Sequence, residues 1–386
     1  MWNIMKLGDV CTISSSKRIF AKEYQNVGIP FYRGKEIIEK NKGNDVTTEL
    51  FISPERYEEI KNKYDIPRKG DILLTSVGTL GVPWLVDEEK FYFKDGNLTW
   101  LRPKDRIVSE YLYYWLNSEE AQNQIDAKCI GSTQKALTIE TLNKFQISLP
   151  SIDVQRKIVA MIRPIEEKIN ANRKVNKNLS YLLQTIYQEQ FGNVNFVTNQ
   201  GILSDICSYS KEKVAVSKLN VNTYFSTENM LPEKAGSTKA TSLPSTPQTT
   251  ACRKGDTLIS NIRPYFKKIV YCEDMCGCST DVLCFTPVQS QYAAYLFSTL
   301  YTDKFFAFMV AGSKGTKMPR GDKQQIMTYP VVLPTKNELE KFNAIAFPVL
   351  EQLNSNKAEN KRLSALRDTL LPKLITGELD VSNLDL

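Results

Sequence analysis

The sequence repeats itself at an offset of about 184 residues. The stretch Arg68-Lys69-Gly70-Asp71 returns as Arg253-Lys254-Gly255-Asp256, and an apolar run follows each copy. The pair Leu149-Pro150 likewise returns as Leu333-Pro334, and a helical pattern follows each pair. Solenoid units span roughly 20 to 50 residues, so a repeat of this length predicts a duplicated domain. We expect a chain built from two similar modules to bind a partner that has two similar halves.

The repeat divides the chain into four segments. Residues 1–150 contain short β-type runs separated by turn residues and then a helical pattern, and residues 193–333 repeat that order. Residues 151–192 and 334–386 carry long helical patterns instead. The expected fold class is therefore α+β, with two similar modules of mixed β-rich and α structure, two long helices that separate them, and an internal pseudo-twofold repeat. Within the second module, Pro232–Thr250 is rich in Pro, Ser and Thr, which is typical of an exposed loop or a partly ordered insertion.

The apolar spacing of the helical segments is typical of a coiled-coil seam. In the first segment the steps between apolar residues alternate between three and four apart from one longer gap, at Ile158, Ile162, Ile165, Ile169, Leu179, Leu183 and Ile186. Asn172 and Asn176 fill the gap, and Asn356 and Asn360 occupy the matching positions of the second segment. A buried Asn fixes the register of a coiled coil at some loss of stability. We therefore expect these four residues to set the register of an antiparallel helix pair; the alternative is solvated Asn residues on curved helices.

Each helical segment also contains a proline, Pro164 in the first and Pro348 in the second. Proline lacks the amide hydrogen of an internal helical residue, and its ring crowds the preceding turn. We therefore expect a kink or a fresh helix start at both positions.

The chain contains no histidine. This excludes Ser-His-Asp and Cys-His catalysis, histidine metal sites and histidine general bases. The sequence also lacks a phosphate-binding G-x-x-x-x-G-K-[ST] loop, and it lacks the glycine-rich cofactor loop and acidic-aromatic tetrapeptide of a methyltransferase. We therefore expect a binding protein with no catalytic residue and no cofactor of its own.

Net charge and hydropathy indicate what kind of partner the protein binds and where it is located. The formal net charge of +7 favours an anionic partner such as nucleic acid without requiring one. No apolar run reaches the roughly 18 to 20 residues that span a bilayer. The first residues also lack the basic and then apolar layout of a signal peptide. We expect a cytoplasmic protein with no membrane partner.

Four cysteines lie close together in the second module, at Cys272, Cys276, Cys278 and Cys284. Zinc sites usually show two well-separated Cys pairs, a pattern that these residues do not follow. We expect reduced thiols in a strand-rich core and no metal, although the spacing alone leaves a bound metal open.

Each module carries basic and small polar residues next to expected turns, where side chains can reach phosphates and base edges. In the first module the candidates are Ser15, Lys17, Arg18, Arg33, Thr75, Ser76, Ser132, Thr133, Gln134 and Lys135. In the second module they are Lys211, Asn261, Arg263, Ser313, Lys314, Thr316, Lys317 and Arg320. Taken singly, each is better explained as a solvated surface residue. Their recurrence at matching places in both modules favours nucleic acid as the partner.

Several stretches resemble the specificity (S) subunit of Type I restriction–modification systems. The resemblance reaches across nearly the whole chain and rests on Arg68–Gly78, Lys254–Pro264, Leu149–Val159, Gly312–Arg320 and the tail motif Leu370–Leu379. One departure weakens the match at the start of the second helix, where Glu338-Leu339-Glu340 stands in place of the Val154-Gln155-Arg156 of the first.

The resemblance implies a role within a larger complex. Residues 1–150 and 193–333 would be target-recognition domains, each reading one half of a bipartite DNA site, which would be non-palindromic because the modules differ outside the repeat. The helices at 151–192 and 334–386 would form a coiled coil that sets the spacer and docks two modification subunits. Those subunits would bind S-adenosylmethionine and methylate adenine, while restriction subunits would use ATP and magnesium. This chain would be the non-catalytic member.

Two other functions stay open at this point. An intracellular scaffold protein with duplicated modules would show no sequence-specific DNA binding, even with modification subunits present. A methyltransferase or nuclease with an unfamiliar site would bind S-adenosylmethionine as an isolated chain.

Overall fold

The computed structural model describes residues 2–44, 46–129, 136–192 and 199–384. Its contacts divide the chain into two units, the first formed by Met1–Ala171 with Asn360–Leu386 and the second by Asn172–Glu359. Within the described ranges, no helix is both long and apolar enough to cross a membrane.

The first unit is built on a four-stranded antiparallel sheet with the order Cys11–Ser14, Leu98–Pro103, Ile72–Thr75, Pro83–Leu85. A three-stranded sheet has the order Phe51–Ile52, Ile29–Tyr32, Tyr92–Phe93, and its last two strands are parallel. A two-stranded antiparallel sheet joins Asn3–Lys6 and Gln146–Leu149. The short helices are Leu7–Val10, Gly34–Asn41, Pro54–Tyr64, Ser109–Leu116, Glu119–Cys129 and Ile139–Asn143, with a 3-10 turn at Ala21–Glu23.

The central strand Ile72–Thr75 is buried on both faces. Successive side chains of a strand point to opposite faces, so an uninterrupted apolar run fills two cores. Ile72 and Leu74 join the core that contains Trp115, whereas Leu73 joins the aromatic core around Trp100. The strand therefore holds a fixed position, and the residues that follow it start from a rigid support.

The second unit repeats this plan and adds to it. Its first four-stranded sheet has the order Cys207–Tyr209, Val282–Pro287, Thr257–Ser260, Ile269–Tyr271. Its second has the order Lys213–Ala215, Gln248–Cys252, Cys276–Cys278, Tyr224–Phe225. Gln200–Ile202 pairs with Pro330–Val332. The short helices are Leu203–Ile206, Ala293–Leu300, Asp303–Ala311 and Lys323–Met327, with 3-10 turns at Val216–Lys218, Pro264–Phe266 and Ser290–Tyr292.

The expectation of a loop over the whole of Pro232–Thr250 is wrong at its end. Gln248–Cys252 is a strand that pairs on both sides, with Lys213–Ala215 and with Cys276–Cys278. Threonine and cysteine side chains suit a half-buried strand, and the high Pro and Ser content that predicted a loop belongs to the residues before Gln248.

The two Arg-Lys-Gly-Asp turns have the same backbone geometry. Gly70 and Gly255 both have a φ of +90°, a conformation that glycine adopts without a steric penalty. In each turn the amide of the first Arg donates to the carboxylate of the Asp, at 2.9 Å in the first unit and 2.7 Å in the second. This shared turn and the shared strand order confirm the duplication.

The two long helices are Ile152–Phe191 and Lys336–Ile375. Both continue through their proline, so the expected fresh start at Pro164 and Pro348 is wrong. The helical stretches within each unit run antiparallel, which confirms the predicted coiled coil. In the first unit Glu166 faces Arg367 at 3.9 Å. In the second unit Leu183, Tyr187 and Phe191 share a core with Phe342, Val349 and Leu353.

Candidate nucleic-acid interface

The central strand of each unit ends at a pair of polar residues, Thr75-Ser76 in the first and Ser260-Asn261 in the second. The backbone is held in the same way in both copies. The amide of Ser76 donates to the carbonyl of Asn97 at 2.8 Å, and the amide of Asn261 donates to the carbonyl of Asp281 at 2.8 Å. The turn that follows therefore starts from an equivalent place in each unit, and it lies next to many of the candidate DNA-binding residues.

The side chains of Thr75 and Ser76 are buried, and their hydroxyls are paired within the protein. The Oγ of Ser76 lies 2.6 Å from the Oγ1 of Thr99. The Oγ1 of Thr75 accepts from the amide of Val82 at 2.9 Å. These two hydroxyls hold the turn, and neither is presented at the surface of this conformation.

The other described candidates of the first unit lie nearer the surface. Ser15, Lys17 and Arg18 are exposed. Arg18 pairs with Asp95 at 2.7 Å but keeps 68% of its side chain exposed, so it can still reach an external anion. Arg33 is half-buried, and its amide and its guanidinium both donate to the carboxylate of Glu36 in the first turn of the helix Gly34–Asn41. Ser132, Thr133, Gln134 and Lys135 lie outside the described residues.

The second unit brings several candidates together beside Asn261. Ile262 forms a β-bridge with Arg320, and Arg320 forms another with Lys314. The amide of Arg263 donates to the carbonyl of Pro319 at 2.8 Å. The turn after the strand and the loop 312–321 are therefore one surface, which carries amide, guanidinium and ammonium groups.

Acidic residues orient the cations of this surface. Arg320 pairs with Asp281 at 3.0 Å, and Lys314 pairs with Asp322 at 2.6 Å. The hydrogen bond from Lys314 holds the pKa of the Asp322 carboxyl below its usual range. Side chains held this way lose less rotamer entropy when an anion binds.

Asn261 is 7% exposed, and its Oδ1 atom has no hydrogen-bond partner among the described residues. A buried acceptor without a donor is destabilising unless something external satisfies it. An adenine amino group is one donor that an Asn carbonyl accepts.

The remaining candidates of the second unit lie around this surface or apart from it. Thr316 and Lys317 are exposed at the tip of the loop, and the Oγ of Ser313 donates to the carbonyl of Val310 at 2.7 Å. Lys211 is exposed on a different strand connection, next to Glu212, which pairs with Arg253.

Two aromatic residues of the same turn are absent from the contacts predicted from the sequence. Tyr265 is 47% exposed and Phe266 is 37% exposed, and their ring centroids lie 4.8 Å apart. The signal was present in the order Arg263-Pro264-Tyr265-Phe266-Lys267, in which two aromatic residues stand between cations directly after a strand.

The cysteine cluster contains one more residue than the spacing suggested. Cys252 joins the four expected cysteines in one buried cluster, and the Sγ atoms of Cys272 and Cys276 lie 3.5 Å apart. All five are free thiols. In the described part of the chain, no group of three or more His, Cys, Asp or Glu side chains is arranged to hold a metal ion.

The four candidate register residues lie along the helix pair. In the second unit Asn172 donates to Glu359 at 2.7 Å, and Asn356 donates to Asn176 at 2.8 Å. In the first unit Asn360 donates to the carbonyl of Ile169 at 3.4 Å.

Comparison with known proteins gives a consistent family. The family profile described as Type I restriction modification DNA specificity domain matches residues 1–181. A putative type I restriction enzyme specificity subunit from Haemophilus influenzae is 31% identical over 173 residues, but the match spans 44% of this chain and only 42% of that protein. The MjaIX specificity subunit of Methanocaldococcus jannaschii is 23% identical over 99% of this chain and 94% of its own length.

A solved structure agrees in fold. The crystal structure of the Type-I restriction-modification system S subunit from M. genitalium matches with a TM-score of 0.57 at 17% identity, covering 97% of this chain and 96% of that one. At this identity the likeness speaks for the fold alone. The profile match over residues 1–181, the full-length relative and the shared fold agree with the duplicated architecture, and the known proteins that this chain is similar to are Type I restriction–modification specificity subunits.

Proposed function

We propose that this chain selects the DNA site of a Type I restriction–modification complex. The observation that carries this function is a shared frame with different side chains. The turn after the central strand starts from an equivalent backbone hydrogen bond in both units, yet Gly78 stands in the first turn where Arg263 stands in the second. A common frame that presents unlike side chains suits a bipartite site with two different halves.

The domain assignment that follows is also a proposal. Residues 1–150 and 193–333 are the two target-recognition domains, and the helical segments 151–192 and 334–386 form the spacer between them. Double-stranded DNA is the ligand of both domains. The surface formed by Asn261, Arg263, Lys314 and Arg320 is the best-defined candidate contact, since it combines cations with an unpaired amide oxygen.

The partners carry the chemistry in this proposal. Two modification subunits dock on the coiled coil, bind S-adenosylmethionine and methylate adenine, and restriction subunits supply the steps that need ATP and magnesium. The chain itself contributes no catalytic residue. The complex works in the cytoplasm, where it meets DNA. A scaffold protein without a DNA role, the main alternative from the sequence, gains no support from the family.

Methylome sequencing tests the proposal. DNA is compared from cells that express this chain with its neighbouring modification subunit and from cells that express the modification subunit alone. The expected result is a bipartite motif with N6-methyladenine in each half that appears only when this chain is present. An assembled complex that leaves the methylome unchanged would contradict the specificity role and revive the scaffold alternative.

A further inference from the structure

The turn that follows the central strand of the second unit has an unusual backbone. Arg263 and Lys267 have φ values of +50° and +51° on either side of the 3-10 turn Pro264–Phe266. Left-handed backbone is unfavourable for residues with a Cβ, and such residues cluster at functional sites. We call Arg263–Lys267 the reading turn.

A second strained turn supports the first. Glu233 and Lys234 have φ values of +52° and +61°, and their amides donate to the carbonyls of Phe266 and Lys267 at 2.8 and 2.9 Å. Four of the five non-glycine residues with positive φ in the described ranges therefore lie in these two contacting turns.

A carboxylate holds the two turns together. Asp303 pairs with Lys234 at 2.9 Å and with Lys267 at 3.0 Å. The hydrogen bond to Asp303 raises the pKa of the Lys267 ammonium above its usual range. This clamp keeps the reading turn rigid without occupying Arg263 or the aromatic rings.

The first unit forms its equivalent turn with glycine. Gly78 and Gly81 have φ values of +80° and +74°, and nothing lies within 4 Å of a Cβ added at Gly78. The backbone shape therefore needs no side chain at this position. The second unit carries Arg263 there despite the strain, which points to a use for that side chain outside the fold.

The reading turn presents aromatic and cationic groups to solvent. Tyr265 and Phe266 form an exposed aromatic pair with ring centroids 4.8 Å apart. Among the described residues, neither Arg263 nor Lys317 of the neighbouring loop has a carboxylate within ion-pair distance. Unpaired cations around an exposed aromatic pair suit DNA, because cations bind phosphates while a ring contacts the thymine methyl group or a base face.

We propose that the reading turn contacts the base pairs of one DNA half-site and that Tyr265 is a specificity-determining residue, an inference that rests on the proposed function. Phe266 holds the Tyr265 ring in place, and Arg263 donates to a base edge next to it. Asp303, Lys234 and Lys267 are positioning residues. An aromatic residue has only two side-chain torsions, so a Tyr that is already held in place loses little conformational entropy when it contacts a base.

The test uses the complete complex of this chain with its modification subunit. The probes are duplexes that carry the motif found by methylome sequencing, and a panel in which each base pair of the motif is replaced in turn. The measured quantity is the discrimination ratio, the affinity for the intact motif divided by that for each altered duplex. Tyr265→Ala is compared with Val288→Ala, which removes another apolar side chain, 53% exposed, from the same unit.

For Tyr265→Ala, discrimination should fall roughly tenfold or more at one or two adjacent base pairs of one half-site and stay unchanged in the other half. Val288→Ala should keep every ratio. A uniform loss of affinity with unchanged ratios would mean a phosphate contact or a purely structural role, and either would overturn the inference.

Arg263→Gly gives a second test. We expect this variant to fold, because the first unit has glycine at the matching position. The melting temperature should rise as the strain is relieved, while discrimination at one base pair should fall. A folded variant that keeps every ratio would remove Arg263 from base reading. A wild-type complex that binds motif and scrambled duplexes equally would instead defeat the proposed function itself, so the two failures are distinguishable.

Discussion

The Nδ2 of Asn356 donates a hydrogen bond to the Oδ1 of Asn176, at 2.8 Å across the two long helices. Asn356 is buried, and its own Oδ1 accepts from Gln352 at 2.8 Å. The Nδ2 of Asn176 donates to the carbonyl of Leu353 at 3.2 Å. A paired buried amide holds one alignment of the helices, since a shift of either helix would leave polar groups unsatisfied. If the helix pair sets the DNA spacer, this pair is where its alignment is held.

Replacing one partner of this pair should be more harmful than replacing both. Asn356→Leu leaves the Oδ1 of Asn176 without its donor and should lower the free energy of unfolding by about 1–3 kcal/mol. The double change Asn176→Leu with Asn356→Leu should recover much of that loss, and urea denaturation measures the coupling. Asn178→Leu, an exposed position on the same helix, is the control. Additive effects of the two changes would show that the bond does not couple the helices.

The aspartates of the two repeat turns should respond differently to Asp→Asn. Asp71 accepts from the Nε1 of Trp100 at 2.8 Å and pairs with Arg102 at 2.9 Å. Since Arg102 is partly exposed, Asp71→Asn should lower the free energy of unfolding by about 2–3 kcal/mol rather than the full loss of a buried pair. Hydrogen exchange of peptides from the first unit of the full chain would measure this change. An effect below about 0.5 kcal/mol would mean that the ion pair does not support the turn.

Asp256 has Cys284 as a donor at 3.3 Å in place of the tryptophan. Burial raises the pKa of the Asp256 carboxyl. The protonated Asp256 carboxyl therefore contributes fully to the stability of the fold below the unfolded-state pKa of about 4. That contribution is lost as the pH rises through the pKa of the folded state. Asp256→Asn should be near neutral or stabilising at pH 7, and less favourable relative to wild type near pH 4. Thermal melts at both pH values give the comparison, and a strongly destabilised variant at pH 7 would contradict it.

Replacing Gly70 or Gly255 by alanine should distinguish the effect of backbone strain from the effect of steric crowding. Both positions have a φ of +90°, so either change should lower the free energy of unfolding by about 1–2 kcal/mol. A Cβ at Gly255 would lie 3.1 Å from the Cβ of Ala293, which cannot rotate away, whereas at Gly70 it would meet the movable Oγ of Ser109 at 3.1 Å. Gly255→Ala should therefore be the more harmful change. Gly96→Ala, with positive φ and open space, is the control for strain alone.

Arg320 should contribute less to base recognition than Arg263. Arg320 is already paired with Asp281 at 3.0 Å, so it makes a weaker donor to an external group. Arg263→Ala should weaken binding by about 1–3 kcal/mol and relax specificity at one position, while Arg320→Ala should weaken all sequences alike and reduce the salt dependence. Binding titrations at several salt concentrations measure both quantities. Equal loss of specificity in the two variants would show that both side chains read bases.

The repeat, the fold class and the helix pair could be predicted from the sequence, because each depends on periodic or local features. A seam repeats every three or four residues, and a turn such as Arg68–Asp71 needs its glycine and aspartate within four positions. An expectation that depended on one residue type was wrong at Pro164. A fresh helix start was expected there, but the packed helix continues through the proline.

The packing of distant segments, in contrast, determines which polar residues can act as contacts. Thr75 and Ser76 look like exposed turn residues in sequence, but the chain buries them against Thr99 and Val82. Tyr265 and Phe266 are partly exposed, although aromatic side chains are often buried. Burial depends on contacts between segments distant in sequence, such as the loop 312–321 against the reading turn, and a local pattern does not contain these contacts. Side-chain type determines which interactions a residue can make, whereas packing determines which side chains remain free to make them.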